Sequence, residues 1–242
     1  MMKFESVRTG LFEQGQDLIA FIVRHIPQVP EDTILVVSSK LVALWKNCVV
    51  PFEGQAQKEV LIKAHSAAYL KTALAWLTIK DGMVMTNAGI DESNAKGGLV
   101  LLPPDLYACA TQLRCALKSV WDVSNFGIII TDSMILPLRA GVIGAAVAYS
   151  GFKGVKDLRG KADLFGRPLK TTLVDVADSL SAAAALTMGE ADEQRPLCLI
   201  SGAAVQFTDK TNPQEIKYPV KDDLYAPLFK AAKLNTTGEK QK

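Results

Sequence analysis

The chain has 242 residues, 49% of them hydrophobic and 21% charged, a balance in which burial outweighs the ordering entropy that keeps charge-rich, apolar-poor chains disordered. Its 27 basic and 25 acidic residues leave a net charge of +2, too little to drive binding to a polyanion by counterion release, so neither nucleic acid nor a membrane surface is expected as a partner. The opening MMKFESVRTG lacks an apolar leader, and the longest apolar run, 140–149, is short and broken by glycine, which predicts a cytoplasmic protein.

In chain order, residues 14–26 carry Leu18, Ile19, Phe21, Ile22 and Ile26 at helical spacing, and Pro27 and Pro30 stop that helix. Residues 33–37 (TILVV) and 48–50 predict short strands, and 57–76 reads as a helix broken near His65. Segment 86–105 (TNAGIDESNAKGGLVLLPPD) sets Gly89, Gly97, Gly98, Pro103 and Pro104 among polar side chains, the composition of a long shaped loop on which sites are built. A helix over 106–117 follows, then the clearest buried strand, 127–130 (GIII), which ends at Thr131-Asp132-Ser133. A strand over 142–149, a Lys/Arg/Gly-rich loop over 151–167 and a strand over 170–174 come next. An Ala-rich helix over 175–188 closed by Gly189 and a strand over 197–201 complete the pattern. Irregular alternation of strand and helix predicts an α+β or mixed α/β fold. Residues 1–232 are expected to form one unit, with two intertwined subdomains as a variant of it, and 233–242 a disordered tail.

Cys48, Cys109, Cys115 and Cys198 include no CxxC pair, and only His25 and His65 could join them, so no structural zinc is expected. Cys109 and Cys115 read as small buried hydrophobes in a reducing compartment. GxSxG, HExxH, GxGxxG after a strand and GxxxxGK[ST] are all absent. What remains is a set of oxygen donors: Asp91 and Asn94 in the glycine-rich loop, Asp132 and Ser133 at the strand end, and Glu190 after the helix-closing Gly189. Hard divalent cations that act with nucleotides take one or two carboxylates, a hydroxyl and phosphate oxygens. Each of these residues could equally serve as a turn or cap.

The motifs VVSSK (36–40), TNAGIDESN (86–94), LLPPD (101–105), GIIITDS (127–133), RAGVIG (139–144), KADLFGRPL (161–169) and ALTMGE (185–190) occur in one order. Over residues 6–203 the chain thereby resembles the coenzyme F-420-0 gamma-glutamyl ligases. That resemblance implies mixed and antiparallel sheets flanked by helices, a homodimer, and the joining of L-glutamate to an acceptor acid through an acyl phosphate. GTP, or ATP, is the implied cosubstrate, with Mg²⁺ or Mn²⁺, two ions, as cofactor. Metal ligation is implied for Asp91, Asp132, Ser133 and Glu190, and nucleotide contact for Ser39, Lys40, Asn94, Met188 and Gly189, with 9–12 on the base side. Arg139, Lys161 and Arg167 are the candidate cationic clamps of catalysis, a solvated surface role being their alternative.

The departures bear on the acceptor. The family reads SKAEGR after its first strand, whereas this chain has Leu44 in the lysine's place and Lys46 in the acid's. Where the family reads TDTxGRxxRRG, this chain has TDSMILPLRAG and keeps only Arg139. Met, Ile and Leu cannot replace a guanidinium that reads phosphate or carboxylate bidentately. The acceptor that the resemblance implies, a deazaflavin precursor, carries both groups, so the expected alternatives are the same reaction on a folate- or pterin-like acid, or a catalytically degraded nucleotide-binding homologue.

Overall fold

The computed structural model describes residues 1–237. Its elements run β1 (Lys3–Val7), α1 (Leu18–His25), β2 (Thr33–Ser38), α2 (Ser39–Trp45), β3 (Val49–Pro51), α3 (Gln55–Ala64), β4 (Ala68–Lys71), β5 (Trp76–Lys80), β6 (Met83–Thr86), β7 (Gly98–Val100), α4 (Leu106–Trp121), β8 (Phe126–Met134), β9 (Ile143–Ser150), β10 (Val155–Asp157), β11 (Leu173–Asp175), α5 (Val176–Met188), β12 (Leu197–Ser201), α6 (Ala226–Ala232) and β13 (Asn235–Thr236).

The two most apolar runs of the sequence, in β2 and β8, lie side by side and parallel inside a five-stranded sheet ordered β1-β12-β2-β8-β9, whose other pairings are antiparallel. Successive strand side chains point to opposite faces. Leu35, Val37, Ile128 and Ile130 accordingly enter one core with Leu18 and Ile22 of α1 and Leu113 and Leu117 of α4. Ile34, Val36 and Ile129 enter the other, with Ala177, Leu180 and Ala184 of α5. A strand covered on both faces has no polar alternation, which is why TILVV and GIII are continuous apolar runs. The small residues of α5 let it lie close: a Cβ on Gly144 of β9 would fall 2.4 Å from the Ala185 Cβ and 2.8 Å from the Ser181 carbonyl. Mixed and antiparallel sheets flanked by helices agree with the expected fold class.

Several expectations need correction. The helix foreseen over 57–76 ends at Ala64, and β4 and β5 follow it in a second, antiparallel sheet ordered β13-β4-β5-β6. The first helix starts at Leu18, where the Asp17 carboxylate accepts from the Ile19 and Ala20 N–H groups. Strand β8 does not stop before Thr131 but continues to Met134, past an irregularity between Ile130 and Thr131, so Asp132 lies within it opposite Ala145. The loop over 151–167 contains β10, which pairs with β11. Cys109 is buried but Cys115 is exposed, because six residues along α4 turn it to the other side. In the expected tail, Asn235 and Thr236 pair with Tyr69 and Ala68, and 238–242 lie outside the described residues.

Candidate active site

The parallel pairing of β2 and β8 sets Ser38 against Thr131, so the next residue of each chain segment, Ser39 and Asp132, also meet. The Ser39 hydroxyl donates to Asp132 Oδ1 at 3.0 Å. Lys40, one residue on in α2, reaches Asp91 Oδ2 at 2.7 Å and the Ser93 hydroxyl at 2.7 Å. A single dipeptide therefore holds two carboxylates, at the carboxyl ends of the two parallel strands where open α/β sheets bind ligands.

Asp91 is placed by its backbone. Asn87, Ala88 and Gly89 have φ of 54°, 56° and 71°, a left-handed run that costs energy unless surroundings fix it. The Thr78 hydroxyl accepts from the Ala88 N–H at 2.9 Å, and Asn87 Oδ1 from the Trp76 N–H at 3.0 Å. Asp91 then exchanges two backbone hydrogen bonds with Val100, at 3.0 and 2.9 Å. Its side chain accepts from the Ser93 N–H at 2.8 Å and the Ser93 hydroxyl at 2.7 Å. Burial alone would raise this carboxyl, but the Lys40 ammonium and the Ser93 donors outweigh it and hold Asp91 below the ordinary carboxylate range. At Asp132 burial wins over the Ser39 hydroxyl and the Ser133 N–H, pushing the group up to about 6.

Both strands open on a cavity of about 450 Å³ whose lining includes Lys40, Asn94, Asp132, Ser133, Met188, Gly189 and Glu190. Within that lining the Ser133 hydroxyl donates to Glu190 Oε2 at 2.6 Å. Ser39 stands behind Asp132 and Asp91 behind Lys40, so nine of the predicted site residues gather here. Thr9 to Phe12, expected on the base side, also line this cavity, and the Thr9 N–H donates to the Gln194 carbonyl at 2.9 Å. The three expected clamps are elsewhere. Arg139 is exposed beyond the end of β8, Arg167 is exposed in the loop after β10, and Lys161 lines a different cavity. The sequence reading missed Lys96, Asp192, Glu193 and Arg195, which also line the first cavity. The cluster of polar residues in EADEQR directly after the helix-closing glycine was the available signal.

Among the described residues no three His, Cys, Asp or Glu side chains converge as a cation cage. Asp91, Asp132, Glu190 and the Ser133 hydroxyl instead offer hard oxygens one or two at a time, which fits an Mg²⁺ or Mn²⁺ ion that completes its shell with phosphate oxygens and water. No helix among the described residues is long and apolar enough to cross a membrane.

Fold and cavity together define a mixed α/β protein with a pocket of carboxylates, hydroxyls and cationic side chains at the carboxyl ends of its parallel strands. The chain belongs to the F420-0:Gamma-glutamyl ligase family, which matches residues 6–202. It is 41% identical to the coenzyme F420:L-glutamate ligase of Methanococcus maripaludis (strain C7) over 143 residues, which span 59% of this chain and 57% of that protein. The enzyme of the same description from Archaeoglobus fulgidus is 32% identical over 213 residues, 81% of this chain and 85% of the relative. For that of Methanosarcina barkeri the identity is 29% over 244 residues, covering 92% and 95%.

Proposed function

We propose that the chain is a γ-glutamyl ligase that uses a nucleoside triphosphate, GTP or ATP, and divalent ions to join L-glutamate to an acceptor carboxylate, acting as a homodimer. The observation that carries this reading is the Ser39-Lys40 dipeptide, whose hydroxyl holds Asp132 in the lining of the cavity and whose ammonium, itself in that lining, holds Asp91. A carboxylate is a poor electrophile, so an acceptor oxygen first takes the γ-phosphoryl group, the nucleoside diphosphate leaving, and the acceptor becomes an acyl phosphate. The α-amine of glutamate then attacks its carbonyl, and phosphate leaves. Divalent ions, when bound, neutralise charge on the phosphate oxygens. Asp91, Asp132, Ser133 and Glu190 would hold them, while Lys40 offers a point charge to the phosphates and Asn94, Met188 and Gly189 enclose the nucleotide. Arg139, Lys161 and Arg167 would have to reach the reacting groups from a second copy of the chain.

A second reading of the acceptor, a folate- or pterin-like acid, is favoured by Leu136 and Ala140, both exposed, which stand at the positions of the family's two lost arginines after Asp132. Calorimetric titration with GTP and with ATP in the presence of Mn²⁺ tests the central claim. Asp132→Asn keeps size and hydrogen bonding but removes charge, so metal-dependent nucleotide affinity should fall at least about tenfold, some 1.4 kcal/mol, with the melting curve little changed. Unchanged affinity would overturn the assignment. Glutamate-dependent phosphate release separates a working ligase from a degraded homologue.

A further inference from the structure

Strands β8 and β9 change register just before the candidate metal ligands. Ile130 pairs with Ala148 but Thr131 with Ala146, so Val147 is an extra residue, a bulge on β9. Its mark on the packing is that Val147 and Ala148, neighbours in the chain, both enter the core shared with α1 and α4. Ala146 and Tyr149 on either side of them enter the core shared with α5. Strands alternate faces unless a bulge intervenes, and bulges beside active sites re-aim the side chains that follow. Beyond this one the new register sets Asp132 opposite Ala145 and Ser133 opposite Gly144. A slip back of one residue would move both pairings.

Two side chains of α5 meet the bulge. The Asp178 carboxylate accepts from the Ala146 N–H at 2.7 Å, and the fully buried Ser181 donates its hydroxyl proton to the Thr131 hydroxyl at 2.6 Å. Three residues apart, they share one face of the helix. Asp178 is itself anchored, because its N–H donates at 3.0 Å to the Asp175 carboxylate that caps the helix. Neither residue lines either cavity. Val176 at one end of α5 lines the cavity that holds Lys161, and Met188 and Gly189 at the other line the candidate site, with Glu190 directly after them. One helix thus leads into Glu190 and grips the strands that set Asp132 and Ser133. We propose that Asp178 and Ser181 are positioning residues, which pin the bulge to α5 and thereby fix Asp132 and Ser133 relative to Glu190. The proposal rests on the metal reading of these three residues.

Calorimetric titration of the full chain with GTP and with ATP in the presence of Mn²⁺ is the test. Asp178→Ala removes the acceptor and should weaken metal-dependent nucleotide affinity about tenfold. Asp178→Asn keeps an oxygen for the Ala146 N–H and should retain the wild-type affinity. Ser181→Ala should weaken it in the same direction as Asp178→Ala. Leu180→Ala removes apolar packing from the same helix but no hydrogen bond to the bulge, so it should lower the melting temperature and leave the affinity unchanged. Melting curves establish that each variant is folded, and the amide chemical shifts of Asp132 and Ser133 should move in Asp178→Ala and hold in Asp178→Asn. Wild-type affinity in both Asp178→Ala and Ser181→Ala overturns the proposal while the ligase reading stands. So does a loss as large in Asp178→Asn or Leu180→Ala as in Asp178→Ala. A wild type without metal-dependent affinity overturns the ligase reading, and this proposal with it.

Discussion

Lys40 meets Asp91 at 2.7 Å with both side chains partly open to solvent, so a divalent ion arriving at Asp91 has to displace an ammonium already there. The same ammonium, once released, is a point charge for phosphate. Lys40→Gln should therefore act in opposite directions, tightening Mn²⁺ alone by about two- to fivefold, as suits a partly exposed ion pair, and weakening the nucleoside triphosphate. Two titrations decide it, and a shift of both affinities in the same direction would contradict this role. At this scale the sequence was informative where residue type alone carries meaning. Asp91, Asp132 and Glu190 are hard donors beside turns and a strand, and they gather as expected. Arg139, Lys161 and Arg167 were grouped with them by charge, but charge says nothing about distance, and the chain spreads them over other loops.

Elements were legible where the pattern was extreme. TILVV and GIII, short and β-branched, read as strands, GIII as a buried one, and DVADSLSAAAALTM brings its cap, Asp175, with the terminating Gly189 directly after it. The segment SAAYLKTALAWLTIK failed because its Ala and Leu content suits a helix, whereas pairing decides for β4 and β5. Its clue lay just beyond, in Asp81-Gly82, whose φ values of 53° and 81° make the tight turn between β5 and β6. Helix α5 also carries a testable charge. Burial, and then the neighbouring Asp175 carboxylate, hold Asp178 well above the ordinary carboxylate range, against the Ala146 N–H that donates to it at 2.7 Å. Below about pH 4 the group is protonated folded or unfolded. As pH rises the unfolded chain releases this proton first, so the folded state loses stability until Asp178 itself ionises. Asp178→Asn keeps the acceptor for Ala146 and removes the titration. Denaturant melts should show the wild type losing about 1 kcal/mol or more relative to this variant between about pH 5 and about pH 7.5, and parallel profiles would refute the shift.

Over the whole molecule, apolar side chains stand exposed on the loops nearest the missing clamps: Leu138 is fully exposed, and Leu164 and Phe165 are 99% and 87% exposed. On the homodimer reading these are the contacts between copies. Light scattering should give about twice the chain mass of 26.1 kDa, and Leu138→Asp should halve it while leaving secondary structure intact. A wild type that scatters as a single chain would remove the dimer from the reading. The contact between Gly144 and α5 carries a consequence of another kind. Helix and sheet touch so closely that no methyl group fits between them, so α5 can neither slide nor tilt without opening the core, and it serves as a strut of fixed length. With one cavity lined at each end, the strut is also a ruler: it sets the two cavities of one chain a helix length, about 20 Å, apart.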